Sequence, residues 1–169
     1  MEGEDAPFYY TERANVGVLS GAAWKAGWLA LEEFGVKKRG KKRGSCDLYI
    51  HSIDGKQGEY IEAKHTWSIK SASDALSQAK GDARKLLVRK NEEALVIAVV
   101  FVAPSINKKF EEQINVKIRE ILRYASSKIK CDAYAWSFPF SVRNLKGGGS
   151  YKNYIFPGVL LFAELLIQK

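Results

Sequence analysis

Asp47, Glu62 and Lys64 are the residues of this chain best suited to chemistry. They lie in Cys46-Asp47-Leu48-Tyr49-Ile50 and Gly58-Glu59-Tyr60-Ile61-Glu62-Ala63-Lys64. The alternation in both stretches predicts strands over Cys46 to Ile53 and Gly58 to His65, with Asp54-Gly55 as a hairpin turn. If Asp54 and Gly55 are its central residues, Ile53 faces Lys56, Tyr49 faces Tyr60 and Asp47 faces Glu62. Opposed side chains have Cβ atoms about 4.5–5.5 Å apart, where like charges destabilise the pair. Lys64 projects from the same face as Glu62, while Leu48, Ile50, Ile61 and Ala63 project from the other and supply core. Two carboxylates in contact must share a proton or a cation. Mg²⁺ suits the role, because it takes oxygen ligands and is usually held by one or two carboxylates plus water and phosphate. Mn²⁺ is a substitute. Such an ion polarises a phosphodiester and lowers the pKa of a bound water. The lysine orients that water or stabilises charge growing on the phosphorus centre. The competing reading is an ion-pair network on a solvent-facing sheet, since exposed ion pairs are common and contribute little. A sheet covered on both faces weighs against it.

The rest of the chain must position these groups. Val16, Leu19, Ala23 and Ala26 recur at helical spacing and predict a helix over Thr11 to Ala26, stopped by Gly27. Trp28 to Val36 reads as a strand. Ser71 or Ser73 can cap a helix reaching about Lys90, with Leu76, Ala79, Ala83, Leu86 and Leu87 as its stripe. Ala94 to Ala103 is nearly all apolar, as in a strand covered on both faces, and Pro104 ends it. Lys108 to Lys130 predicts a long amphipathic helix, and Cys131 to Pro139 a strand. Lys146 to Tyr154, with three successive glycines, reads as a loop. Ile155 to Ile167 is apolar, with strand and helix both open. The order implies an α/β fold around a mixed sheet flanked by helices.

The 169 residues suit one domain. No apolar run is long enough to span a membrane, and the first residues are acidic rather than apolar, so we expect a soluble cytoplasmic protein. Cys46 and Cys131 fit no zinc spacing and read as small buried hydrophobes in a reducing compartment. The formal charge of +8 favours a polyanionic partner. Lys37, Lys38, Arg39, Lys41, Lys42 and Arg43 put six cations into seven residues just before Asp47. That run is either a solvated loop or a set of phosphate contacts.

These residues resemble the PD-(D/E)xK nuclease superfamily, which includes restriction endonucleases and archaeal Holliday-junction resolvases. Asp47 is followed, after fourteen intervening residues, by Glu62-Ala63-Lys64. The element order from Thr11 to Ala103 is similar to the family's αβββαβ core. The resemblance thus covers about residues 11–103 of a single domain, with 104–169 as a C-terminal extension of helix and strands. Cys46 stands in place of the eponymous proline, a position that varies widely in the family. What the resemblance implies is Mg²⁺-dependent DNA cleavage, with Asp47 and Glu62 as metal ligands and Lys64 as the water-positioning cation. Many members add a glutamate from the first helix. Glu12 matches, since it shares the stripe of Val16 and Leu19, although a first-turn glutamate also suits a helix N-terminus. Glu32 and Glu33 compete if that helix runs on to Phe34. Gln78 resembles the extra glutamine of some subgroups, but its tyrosine partner is replaced by Asp82, and a solvated helix residue is the alternative.

His51 and His65 read as partly buried histidines, with His51 on the side of the carboxylates. Trp67, Tyr49 and Tyr60 suit either base stacking or core, and Trp24, Trp28 and Trp136 suit packing. The leading expectation is a metal-dependent DNA endonuclease. The alternatives are a catalytically inactive nucleic-acid-binding module and a subunit of a larger nuclease or defence assembly. The intact Asp47, Glu62 and Lys64 favour the enzyme. The chain leaves little room for a separate target-recognition domain, so specificity would come from a protein partner or from DNA shape. Cutting a duplex often needs two sites, hence a homodimer, but no dimer surface is legible.

Overall fold

The computed structural model of the chain describes residues 6–39, 41–86 and 94–166, with the backbone alone at 41–43. The first helix, α1 (Glu12–Lys25), starts where expected: the Thr11 Oγ1 accepts the Ala14 N–H at 3.4 Å. The buried Asn15 donates from its side chain to the Thr11 carbonyl at 2.8 Å. Gly27 then takes a φ of 84°, open chiefly to glycine, and turns the chain into strand β1 (Trp28–Lys38). Glu32 and Glu33 therefore belong to β1, and a first helix running to Phe34 is excluded.

Strands β2 (Lys41–Ser52) and β3 (Gly58–Thr66) form the expected hairpin, with Tyr49 facing Tyr60. The turn is wider than a two-residue turn. The Ser52 N–H bonds to the Gln57 carbonyl at 2.9 Å, and the Gly55 N–H to the Ser52 carbonyl at 3.0 Å. Asp54 accepts from the Ser52 hydroxyl and the Lys56 N–H, at 2.7 and 3.2 Å, which organises the loop locally. One extra residue on each side of the turn leaves the register, and so the face of every side chain, unchanged.

Helix α2 (Ala72–Ala83) crosses to strand β4 (Ala94–Val102), which lies parallel to β3. The helix stops well before Lys90. The Lys85 carbonyl accepts the Arg39 N–H at 2.7 Å and Leu86 bridges to Lys38, so the end of β1 captures backbone that would continue the helix. Leu87 to Lys90 lie outside the described residues. A short strand β5 (Ile106–Asn107) leads to a 3₁₀ segment, Lys108–Gln113, and helix α3 (Ile114–Lys128). The expected single helix is thus split: the Asn107 side chain caps the Lys109 N–H, and Phe110, at φ −103° and ψ 17°, leaves helical geometry. Strands β6 (Ala133–Ser137), β7 (Tyr154–Ile155) and β8 (Val159–Leu166) complete the chain, which resolves the final apolar stretch as strand.

The sheet order is β1-β2-β3-β4-β8-β6, with β3 and β4 parallel and the other neighbours antiparallel, while β5 and β7 pair separately. This is an α/β fold with a mixed six-stranded sheet flanked by helices. Val16 of α1 packs on Leu48, Ile50, Ile61, Ala63 and Val99 on one face. Leu76 and Ala79 of α2 and Ala125 of α3 pack on Val96, Val100 and Phe162 on the other. Every residue of β4 from Ala98 to Val102 is buried, as its unbroken apolar run requires. Trp24 and Trp136 differ from expectation. They are 52% and 53% exposed, because the first is on the outer side of α1 and the second on the edge strand β6, beside Tyr134. No helix among the described residues is long and apolar enough to cross a membrane.

Candidate active site

The backbone ladder between β2 and β3 runs from His51–Gly58 to Leu48–Ile61. Asp47 is the next residue of β2. Its Oδ2 accepts the Ala63 N–H at 2.7 Å, so a side-chain bond replaces the next rung. Charge-assisted bonds of this kind are worth about 1.5–3 kcal/mol. The strands part here, and the expected face-to-face opposition of Asp47 and Glu62 becomes a carboxylate turned onto the β3 backbone.

The reason lies in the neighbouring strand. The β1–β2 ladder pairs Glu32 with Leu48 and Phe34 with Cys46 and skips Glu33 and Asp47 between them. Glu33 has a φ of +51°, a conformation uncommon for residues with a side chain and one that concentrates at functional sites. The Ser45 hydroxyl donates to its carboxylate at 3.1 Å. Across this step the two strands exchange faces. Ala30, Leu48 and Ile50 pack towards α1, whereas Phe34 and Cys46 pack towards α2. Asp47 stands at the exchange point, within electrostatic reach of Glu12 from α1 and of Glu62.

Glu62 is 2% exposed. The Lys38 Nζ lies 2.6 Å from its Oε1, with a side chain 16% exposed. Among the described residues, that buried oxygen meets no donor other than the Lys38 ammonium. The ammonium thus holds this buried oxygen in a short charge-assisted contact. Burial raises the pKa of Glu62; Lys38 opposes the rise and the Asp47 carboxylate adds to it.

Lys64 bridges the two helices. Its Nζ is 4.0 Å from Glu12 of α1 and 3.2 Å from Asp82 of α2, and it donates to the Ala63 carbonyl at 2.9 Å. Burial works against the ammonium, but Glu12, Asp82 and Asp47 outweigh it and hold its pKa above the usual lysine value. Glu12 is itself raised, first by its own burial and then by Asp47 and Asp82, with Lys64 opposing. Asp82 is lowered, chiefly by the Lys85 ammonium at 2.8 Å, despite some desolvation, and further by Lys64.

The structure therefore brings Asp47, Glu62, Lys64 and Glu12 together and adds Lys38 and Asp82. Asp82 escaped the sequence reading as a site residue. Its signal was its place three residues after the buried Ala79, at the border of the apolar stripe of α2. Gln78 is exposed on the same helix. Glu32 lies against α1 near Gly17. Of the basic run, Lys37 and Arg39 are exposed and Lys38 turns inward; the side chains of Lys41, Lys42 and Arg43 lie outside the described residues. His51 is half-buried beside Tyr49. Tyr49 stacks on Phe34, with ring centroids 4.7 Å apart, and packs on the buried Tyr60 at the same separation, so this pair is core. Trp67 packs on Tyr151 at 5.2 Å, within the glycine-rich loop, which forms a 3₁₀ turn at Gly149–Tyr151. Cys46 is buried and its thiol is pushed up to about 12 by burial, which makes it an inert hydrophobe, and both cysteines are free.

Among the described residues, no group of three or more His, Cys, Asp or Glu side chains is gathered closely enough to hold a metal by itself. Asp47 and Glu62 are two carboxylates in electrostatic reach of each other, and all-oxygen donors of this kind suit Mg²⁺ completed by water and phosphate rather than zinc. Comparison of the chain with protein-family models, with curated proteins and with solved structures found no match.

Proposed function

We propose that this chain is a Mg²⁺-dependent DNA endonuclease that hydrolyses phosphodiester bonds, with Mn²⁺ as an alternative ion. The observation that carries the proposal is the buried Glu62 carboxylate near Asp47, whose Oε1 has the Lys38 ammonium and, among the described residues, no other donor as its partner. A carboxylate pair is kept in a sheet at such cost chiefly where a cation is to be held. The resemblance of Asp47 and Glu62-Ala63-Lys64 to the PD-(D/E)xK pattern supports the reading, as does the element order α1-β1-β2-β3-α2-β4.

In this reading Asp47 and Glu62 would hold the ion, which would supply Lewis acidity and a water of lowered pKa. Lys64, kept protonated by its carboxylate neighbours, acts as a donor that orients the attacking water and offsets charge on a non-bridging oxygen. Glu12, 4.0 Å from Lys64, would accept the proton of that water. Lys37, Lys38, Arg39, Lys41, Lys42 and Arg43, around the turn between β1 and β2, contact phosphates.

A second reading has an observation of its own. Glu62 is paired with Lys38, and Lys64 with Asp82 and Glu12, so the site charges are balanced within the protein, as in a nucleic-acid-binding module without catalysis. One experiment separates the two. The chain is incubated with single-stranded, duplex and branched DNA in Mg²⁺ or Mn²⁺, with Asp47→Ala as control. Metal-dependent cutting lost in Asp47→Ala supports the enzyme. Binding without cutting, unchanged in Asp47→Ala, supports the binding module.

A further inference from the structure

The least expected contact in the site is Lys38 on Glu62. Lys38 follows an irregular step in the β1–β2 register between Val36 and Lys38. Its backbone is fixed by the bridge to Leu86, and that of Arg39 by the Lys85 carbonyl. Its stem lies over Gly44, where an added Cβ would meet the Lys38 Cδ at 2.9 Å. The hairpin thus carries a lysine inward over β3 and sets its ammonium on the oxygen that a metal would use. Glu62 is almost wholly buried, so an ion reaches that oxygen by replacing Lys38.

We propose that Lys38 is a positioning residue of the site: its ammonium holds the cation position at Glu62 in the DNA-free protein and leaves it to a divalent ion when phosphates bind the hairpin. This rests on the metal-site reading above. An ammonium and a divalent ion cannot occupy the same side of one carboxylate oxygen, so the two compete. Lys38 also belongs to the basic run, and an arriving phosphate offers it another anionic partner. DNA and metal then strengthen each other's binding by the same factor, as linkage requires. The arrangement loads the ion when substrate is present.

The test measures Mn²⁺ affinity of the full chain by electron paramagnetic resonance, without DNA and with a saturating phosphorothioate duplex that resists cleavage. For the wild type, DNA should tighten Mn²⁺ binding by about 5–150-fold, the usual span of coupled sites. Lys38→Met keeps the stem without the charge, and should bind Mn²⁺ more tightly than the wild type without DNA and gain less from it. Lys38→Arg, which restores a cation, should return the dependence on DNA. Because removing one partner of a buried pair can unfold a protein, Gly44→Ala serves as a second variant. It crowds the Lys38 stem and leaves both charges in place, and should tighten DNA-free Mn²⁺ binding in the same direction. Wild-type binding that Asp47→Asn abolishes, with Lys38→Met and Gly44→Ala equal to or weaker than wild type, overturns the role of Lys38 and leaves the nuclease reading intact. Failure of every protein to bind Mn²⁺, with or without DNA, overturns both.

Discussion

Replacing Lys64 by methionine separates catalysis from stability, because the two effects differ greatly in size. The Lys64 Nζ lies 4.0 Å from Glu12 and 3.2 Å from Asp82. Coulomb's law with an effective dielectric of 20 gives about 4 and about 5 kcal/mol for these distances, and about 1 kcal/mol each in bulk water. The three side chains are 26%, 36% and 33% exposed, so solvent screening keeps each pair near the lower value. Asp82 retains Lys85 in the variant, and the loss falls mainly on Glu12. Lys64→Met should therefore cost about 1–2 kcal/mol at neutral pH, or a few degrees in Tm. Most of a typical stability of about 5–15 kcal/mol would remain and the variant would stay folded. Loss of a preorganised donor should instead slow single-turnover nicking of supercoiled plasmid by about 10²–10³-fold. Urea denaturation and the nicking assay on the same preparations make the comparison. A variant that cuts at more than about a tenth of the wild-type rate would remove Lys64 from the mechanism. A variant as stable as the wild type would show that the bridge between α1 and α2 contributes nothing.

Asp47 should show a split between its two roles. Asp47→Asn keeps an oxygen for the Ala63 N–H, whereas Asp47→Ala leaves that N–H without its partner, so the alanine variant should be less stable by about 1–3 kcal/mol. Both should lose cleavage, and equal denaturation midpoints would refute the structural part. Changing Lys37, Arg39, Lys41, Lys42 and Arg43 to glutamine should flatten the slope of log K against log salt by about 0.9 for each duplex phosphate no longer neutralised; an unchanged slope moves DNA binding elsewhere. His65 should make the fold acid-sensitive. Its pKa is depressed by burial, against the opposing effect of the Phe8 carbonyl at 3.3 Å. Below the ordinary value of about 6.5 the unfolded chain binds a proton that the folded chain resists, so stability is lost as pH falls through that window. His65→Gln keeps a nitrogen donor for Phe8 and should reduce this dependence in urea titrations between about pH 7 and 5. Parallel wild-type and variant curves would discard the assignment.

Local pattern carried most of the elements. Period-two alternation located β2 and β3, apolar spacing located α1 and α2, and the unbroken run from Ala94 located a strand covered on both faces. These features depend on neighbours along the chain, which a sequence displays directly. Asp47, Glu62 and Lys64 share one end of the hairpin because register is a local property, whereas Glu12 reaches Lys64 only through the packing of α1 on the sheet. Helix ends were less legible. The end of α2 was set by Arg39, distant in sequence, which takes the Lys85 carbonyl.

The sequence by itself determined that two carboxylates and a lysine would share one end of the β2–β3 hairpin, because alternation and turn chemistry fix which side chains lie together. Tertiary structure decided how they are used. The left-handed conformation of Glu33 makes β1 and β2 exchange faces and turns Asp47 onto the Ala63 backbone. The curl of the hairpin brings Lys38 to Glu62, and the packing of α2 brings Asp82 to Lys64. Strict alternation could not announce the exchange, because a single backbone irregularity reverses the parity of everything beyond it. Lys38 and Asp82 reach the site through contacts between elements far apart in the chain, and those exist only once the sheet has formed and the helices have packed on it.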